Sequence, residues 1–352
     1  MKKESEDKKS LSRRSFLGTM AGAAVVSMIP GNLACKNEET RSVSAGALSS
    51  TSSHKEPFRG VFTIPSTPFL ENGEVDLPGF RRIVDFCIEC GAHGLVYPVN
   101  ASEWSYLSDD ERLQLTKIFV EQNAGRIPCI VSVTASTEEN AARFASYARS
   151  LGADGLIAVP PRGESSLSVI SSYYKKISDT GRLPVFIQNH DAPAGTPLSA
   201  EFVIKLCREH EYVSYIKEET TPSTFVMSSI LEGGSDVCKG IFGGAGGRYL
   251  IEEYRRGCSG QMPGCHVTDV VVAFWNALET GDNTRALHIY KEMAPLFFFE
   301  NQMNGCYKEV LKRRGVISCA LKRNGKMPMD KIASDYLDEI LKNLEPLMSW
   351  GK

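Results

Sequence analysis

The chain has 352 residues, 42% of them hydrophobic, enough to bury one large core or two ordinary ones. Its 40 basic and 42 acidic side chains leave a net charge of −2, and the lysines and arginines are spread along the chain, which argues against nucleic acid as a partner. The one basic concentration lies at the extreme N-terminus, where it has a different meaning.

There Ser12-Arg13-Arg14-Ser15-Phe16-Leu17 precedes a weakly apolar run of small residues from Gly18 to Ile29. Twin arginines, Phe-Leu and a short, mildly hydrophobic segment form the pattern of a twin-arginine export signal. The run is too short to span a bilayer and too rich in Gly and Ala to make good core. Residues 1–35 are therefore expected to be an export signal, which places the protein in the periplasm or on a membrane. Ala34-Cys35 just past the run resembles a lipoprotein processing site, although Leu33 sits one place closer to the Cys than usual. A lipid anchor at Cys35 and plain cleavage nearby both stay open. Residues 36–56 are rich in Ser, Thr, Ala and Glu without periodicity and are expected to be a disordered tether.

From Arg59 onward one grammar repeats: a short apolar run, a loop, then a segment with helical spacing. The runs occupy 60–66, 94–99, 128–134, 154–160, 184–189, 213–219, 237–244 and 257–263. Between them lie helix signals. Asp76-Leu77-Pro78 opens the first helix, which stops around Gly91; Ser108-Asp109-Asp110-Glu111 is a capping box; Ser136-Thr137 opens a helix that closes on Gly152. Near-continuous apolar strands without hairpin turns indicate a parallel sheet covered by helices, and eight units favour closure into a (β/α)8 TIM barrel. The expected layout is a barrel over 57–268, with the final barrel helix and an appended C-terminal helical layer over 269–352. No GxGxxG follows the first strand. The Gly-rich turn Gly243 to Gly247 follows the seventh strand and lacks a phosphate-loop lysine, so no nucleotide cofactor is expected.

Ten cysteines in an exported chain invite a disulfide reading. Most of them, however, lie inside apolar runs (Cys129, Cys207, Cys238), where Cys acts as a small hydrophobe. Cys87-x-x-Cys90-x-x-His93 has the spacing of a helix and no second ligand pair, so no metal is expected there.

In such a barrel catalytic groups gather at the C-terminal ends of strands. That rule selects Ser66 and Thr67, Asn100 to Glu103, Pro160 to Arg162, Gln188 to Asp191, then Lys217, Glu219 and Thr220, and Gly243 with Gly244. Lys217 stands out because it is read as ending the apolar stretch Val213 to Ile216. A lysine drawn out of water becomes a nucleophile towards carbonyls. By pattern alone it is equally an ion-pair partner of Glu218 or Glu219.

The segment GVFTIPSTPFLENGEVD, Ser102-Glu103 after strand 2, Ile216-Lys217-Glu218 and the glycine turn after strand 7 resemble the N-acetylneuraminate lyase / dihydrodipicolinate synthase family. The resemblance runs from Arg59 to Trp350. It implies that Lys217 forms a Schiff base with a small 2-oxo acid, with no separate cofactor. It also implies that the loop after strand 2 holds the substrate carboxylate through backbone N–H groups, and that the chain is a homodimer or homotetramer. There are departures. Gln188 stands where many members carry a proton-relaying tyrosine, Val99-Asn100-Ala101-Ser102-Glu103 replaces a Gly-Thr/Ser-Thr-Gly-Glu loop, and Pro160-Pro161-Arg162 carries no tyrosine. Glutamine cannot exchange protons as a phenol does, so dihydrodipicolinate synthesis is not expected.

Asn100-x-Ser102-Glu103, Ile187-Gln188 with Asp191-Ala192-Pro193, Lys217-Glu218-Glu219-Thr220, Phe299-Glu300-Asn301, Gly315 to Ser318 and Ser349-Trp350-Gly351 are similar to the L-2-keto-3-deoxyarabonate dehydratase branch. Asn189-His190 makes the strand-5 loop look one residue longer than in that branch. The resemblance implies dehydration of a 2-keto-3-deoxy sugar acid, a hydro-lyase reaction. Glu219 is then a proton carrier or only the lysine's counter-ion. Gln188, Thr67 and Thr220 would orient substrate hydroxyls, Asn100 and Ala101 would offer amides to the carboxylate, and Ser102, Gly243 and Gly244 would also bind the substrate. Glu103 is expected to brace its own loop, and His190 and Asp191 to sit at the rim. Retro-aldol cleavage to pyruvate and an aldehyde, and an exported sugar-acid binding protein without turnover, are the competing readings.

Overall fold

Eight short strands pair in sequence order, all in parallel, and the last pairs with the first to close a barrel. They are β1 (Gly60–Thr63), β2 (Gly94–Tyr97), β3 (Cys129–Ser132), β4 (Gly155–Ala158), β5 (Val185–His190), β6 (Val213–Glu219), β7 (Gly240–Gly243) and β8 (Gly260–Gln261). This computed structural model describes residues 57–303, 306–325 and 329–351. The export signal, the Cys35 anchor and the tether expected from the sequence lie outside the described residues.

Helices α1 (Leu77–Glu89), α2 (Asp109–Asn123), α3 (Glu138–Leu151), α4 (Leu167–Gly181), α5 (Ala200–Glu209), α6 (Ser223–Gly234), α7 (Leu250–Arg256) and α8 (Thr268–Glu279) alternate with the strands. Their starts follow the expected chemistry. Asp76 Oδ1 accepts the Gly79 amide at 2.8 Å, with Pro78 in the first turn of α1. Ser108 and Glu111 form a reciprocal capping box, and Thr137 caps α3, which ends on Gly152 at φ 85°. Most strands are shorter than the apolar runs, trimmed at one or both ends, whereas β5 and β6 are as long as theirs. Lys217 does not end β6, since pairing with β5 continues through Glu219.

Strand alternation sorts the core into two sets. Phe62, Val96, Ile130, Ile157, Phe186, Tyr215 and Phe242 fill the barrel interior together with Met262. Phe58, just before β1, joins them at the N-terminal mouth: its amide donates to the Tyr215 hydroxyl at 3.1 Å, and Tyr215 stacks on Phe186 at 4.6 Å. The alternate residues, such as Tyr97, Val131 and Ile187, pack against the helices. The nine described cysteines are free thiols, seven of them buried. Cys87 and Cys90 belong to the helix-packing core on α1, and His93 Nδ1 accepts the Val61 amide at 3.1 Å.

After α8 the chain adds α9 (Asn283–Gln302), α10 (Cys306–Arg313) and α11 (Lys331–Leu344), within the same compact unit as the barrel. Buried charges fasten this layer. Asp269 on α8 pairs with Arg314 at 2.6 Å and accepts the amides of Ser349 and Trp350. Glu103 pairs with Lys308 of α10 at 2.6 Å and accepts the Arg323 amide at 3.0 Å. Glu103 therefore does more than brace its own loop: it ties the loop after β2 to the C-terminal layer.

Candidate active site

Strand parity decides which carboxylate meets the lysine. Tyr215 faces the barrel interior, so Lys217 and Glu219, two and four residues on, face the same way, while Glu218 faces the helix layer. Lys217 Nζ lies 2.9 Å from Glu219 Oε2. On β5 the same alternation brings Phe186, Gln188 and His190 inward, and the register sets Gln188 beside Lys217 and His190 beside Glu219. Gln188 Nε2 donates to Glu219 Oε2 at 2.7 Å, and its own Oε1 is buried without a partner. Burial works against the Glu219 carboxylate, but the charges of Lys217 and His190 and the bonds from Lys217 and Gln188 outweigh it and hold Glu219 below the usual range.

Above this pair lies a cavity of about 250 Å³. Asn100 and Ala101 line one side, and among the described residues neither of their amides donates to another backbone group. Asn100 Oδ1 accepts Trp104 Nε1 at 3.0 Å, which leaves its buried Nδ2 without a partner. Ala245, Gly246, Met262 and Gly264 line the rest, together with His190, Arg248 and Tyr307.

Other residues singled out by sequence take supporting places. Thr67 is fully buried, and its hydroxyl is occupied by the Ser102 carbonyl at 2.6 Å and the Tyr97 hydroxyl at 2.8 Å, so it holds the β2 loop instead of a substrate hydroxyl. Ser102 is likewise buried and donates to the Pro65 carbonyl at 2.8 Å. Thr220 turns its hydroxyl onto Glu218 and away from the cavity. Gly243 gives space to Glu253, whose Oε2 would lie 2.0 Å from an added Cβ. Gly244 does the same for Glu219, at 2.2 Å from Oε1. For Thr67, Ser102 and Thr220 the cause is the same: the end of a strand fixes the height of a residue but not which way its side chain turns.

Sequence reasoning missed Arg248 and Tyr307 and placed His190 only at the rim. Arg248 lies in the turn after β7, just past the glycines. Tyr307 arrives from α10 with no local signal, and its ring stacks on His266 at 4.4 Å between centroids. His266 Nε2 shares a 2.7 Å hydrogen bond with Glu300, whose other oxygen lies 3.5 Å from Arg248. His266, Glu300 and Cys306 offer ligand atoms within 4.8 Å of one another. With the histidine bonded to the carboxylate and a guanidinium beside it, the group reads as a wall of the cavity, not a metal centre. Behind β6 and β7, burial raises two further carboxyls, Glu218 and Glu253, to about 7.

An inward lysine, a carboxylate in contact with it and free amides across a small cavity can bind a 2-oxo acid and move a proton beside it. Comparison with known proteins agrees with this chemistry. The chain is 33% identical over 308 residues to L-2-keto-3-deoxyarabonate dehydratase of Azospirillum brasilense, covering 85% of this chain and 98% of that protein. It is 29% identical over 162 residues to a protein of Escherichia coli K12 described as "Probable 2-dehydro-3-deoxy-D-pentonate aldolase YjhH", covering 46% of this chain and 54% of that one. Dihydrodipicolinate synthase from Rhodopseudomonas palustris superposes with a TM-score of 0.76 at 23% identity, over 81% of this chain and 97% of that structure, and shares the fold. The model of the dihydrodipicolinate synthetase family matches residues 57–345, and the chain belongs to that family of lyases.

Proposed function

We propose that the protein dehydrates a 2-keto-3-deoxy sugar acid through a Schiff base on Lys217. The carrying observation is the contact of Lys217 with Glu219 at 2.9 Å, with Gln188 in the strand-5 place beside them. Condensation of Nζ with the 2-oxo group gives an iminium that acts as an electron sink. Glu219, held as a carboxylate, takes a proton from C3 to give an enamine, and the C4 hydroxyl departs. Water then hydrolyses the imine and frees the lysine. The amides of Asn100 and Ala101 face the substrate carboxylate, and Gln188 fixes Glu219 without exchanging protons itself. The likeness to the Azospirillum dehydratase over nearly its whole length supports the same reading.

Retro-aldol cleavage of a similar acid uses the same iminium, and the likeness to the E. coli protein described as an aldolase favours it as the second reading. Export by the twin-arginine route, and assembly as a homodimer or homotetramer, are also proposed, from the N-terminal motif and the family. Borohydride reduction in the presence of pyruvate or 2-keto-3-deoxy acids, followed by peptide mass spectrometry, tests the mechanism. Modification of Lys217 with release of a dehydrated 2-oxo acid is expected. Release of pyruvate would favour the aldolase, and no adduct with any of these acids would sink both.

A further inference from the structure

Dehydration needs an acid as well as a base, because hydroxide is a poor leaving group. Gln188 cannot serve, and neither can Asn100. Arg248 does not give up its proton. His190 Nδ1 is tied to the Asp191 carbonyl at 2.8 Å, and its ring stands beside Glu219 in the strand register, where it serves that carboxylate. Glu219 is engaged as the C3 base, with its Oε2 held by Lys217 and Gln188. One cavity-lining group remains that carries a transferable proton and no partner for it. Tyr307 lines the same cavity as Lys217 and Glu219, and its hydroxyl makes no hydrogen bond with any described residue.

The ring is positioned from two sides. It stacks on His266 with an interplanar angle of 21°, and it lies against Gly264, where an added Cβ would be 3.1 Å from its Cε2. Burial, with the nearby Glu300, raises the phenol well above its ordinary value, so it stays protonated while it waits for substrate.

We propose that Tyr307 is the general acid that protonates the departing C4 hydroxyl, a role that rests on the dehydratase reading above. The C3–H bond breaks, its proton passes to Glu219 and its electron pair enters the enamine. The enamine pair then forms the C3–C4 double bond as the C4–O bond breaks, and the oxygen leaves as water with the phenolic proton. The water just released carries the Glu219 proton back to the phenolate, so both residues are restored and nothing is oxidised. The C-terminal layer thus supplies, from another place in the chain, a phenol that strand 5 lacks.

The test compares the full-length protein with Tyr307→Phe, which keeps the ring on His266. Substrates are 2-keto-3-deoxy pentonates and hexonates and their 4-fluoro analogues, whose fluoride leaves with far less need of a proton. Tyr307→Phe should lower kcat for the hydroxy acids by about 10²–10⁴-fold. Borohydride trapping at Lys217 and exchange of the C3 hydrogen into D₂O should stay within about threefold of wild type, and the 4-fluoro acids should return turnover to within about tenfold. Full turnover by the variant, loss of trapping or C3 exchange, or an equal defect with the fluoro acids would each overturn the role of Tyr307 while leaving the Schiff base in place. A wild-type protein that neither traps nor exchanges any of these acids would remove the dehydratase reading, and this role with it.

Discussion

Gly244→Ala offers a quantitative test of how the site is held. Gly244 lies outside the left-handed region, with φ −124°, and an added side chain there meets lack of room. The new Cβ would lie 2.2 Å from Glu219 Oε1 and 2.4 Å from its Cδ, where ordinary contact begins near 3.4 Å. The carboxylate must therefore retreat by roughly 1 Å, a displacement that costs on the order of 10²-fold in rate when it falls on a catalytic group. Glu219 cannot move so far and keep its 2.9 Å and 2.7 Å contacts with Lys217 and Gln188. Turnover of a 2-keto-3-deoxy acid should fall by about 10²-fold, or about 2.7 kcal/mol of barrier. Overpacking should cost about 1–3 kcal/mol in urea unfolding. In a Glu219→Ala background the same substitution should cost almost no stability, because the clash has gone. Turnover within about threefold of wild type, or an undiminished stability cost in the Glu219→Ala background, would refute the reasoning.

Three other outcomes follow from buried groups. Lys308→Met leaves the Glu103 carboxylate buried without its cation and should cost about 3–5 kcal/mol in urea unfolding, with loss of carboxylate binding as the β2 loop loosens. Glu253 has its carboxyl raised from 4.5 to about 7, so the folded state holds a proton that the unfolded state releases. Its stabilising contribution is complete below about pH 4.5 and is lost as pH rises through about 7. Glu253→Gln should flatten that part of the stability profile and gain roughly 2 kcal/mol at pH 8 relative to the parent, read from urea midpoints; an unchanged slope would count against it. Phe58→Ala opens the N-terminal mouth of the barrel and should cost about 3–5 kcal/mol while leaving the Lys217 adduct intact.

The barrel was legible because each βα unit carries its own signals: an apolar run, a cap and a stop. Lys217 was legible as a lysine at the C-terminal end of a buried strand, and the family resemblance gave it a role. Its partner was legible in principle too. Counting by twos from Tyr215 selects Glu219 over Glu218, but that count requires knowing that Tyr215 faces inward, which depends on its packing with Phe58 and Phe186. Thr67, Ser102 and Thr220 were placed at the right ends of the right strands and still face other polar groups, because hydrogen-bond partners are chosen in three dimensions. Arg248 and Tyr307 lay beyond local reasoning for a related cause. Tyr307 reaches the cavity through the docking of α10, far along the chain from Lys217, and nothing in its neighbours' spacing announces it.

The bond between Glu103 and Lys308 has a consequence for the order in which the protein comes into being. The barrel's eight strands all precede α10 in the chain, so the anchor of the β2 loop and part of the cavity wall are among the last residues to be made. The last helices made are the ones that complete the chamber around Lys217 and Glu219.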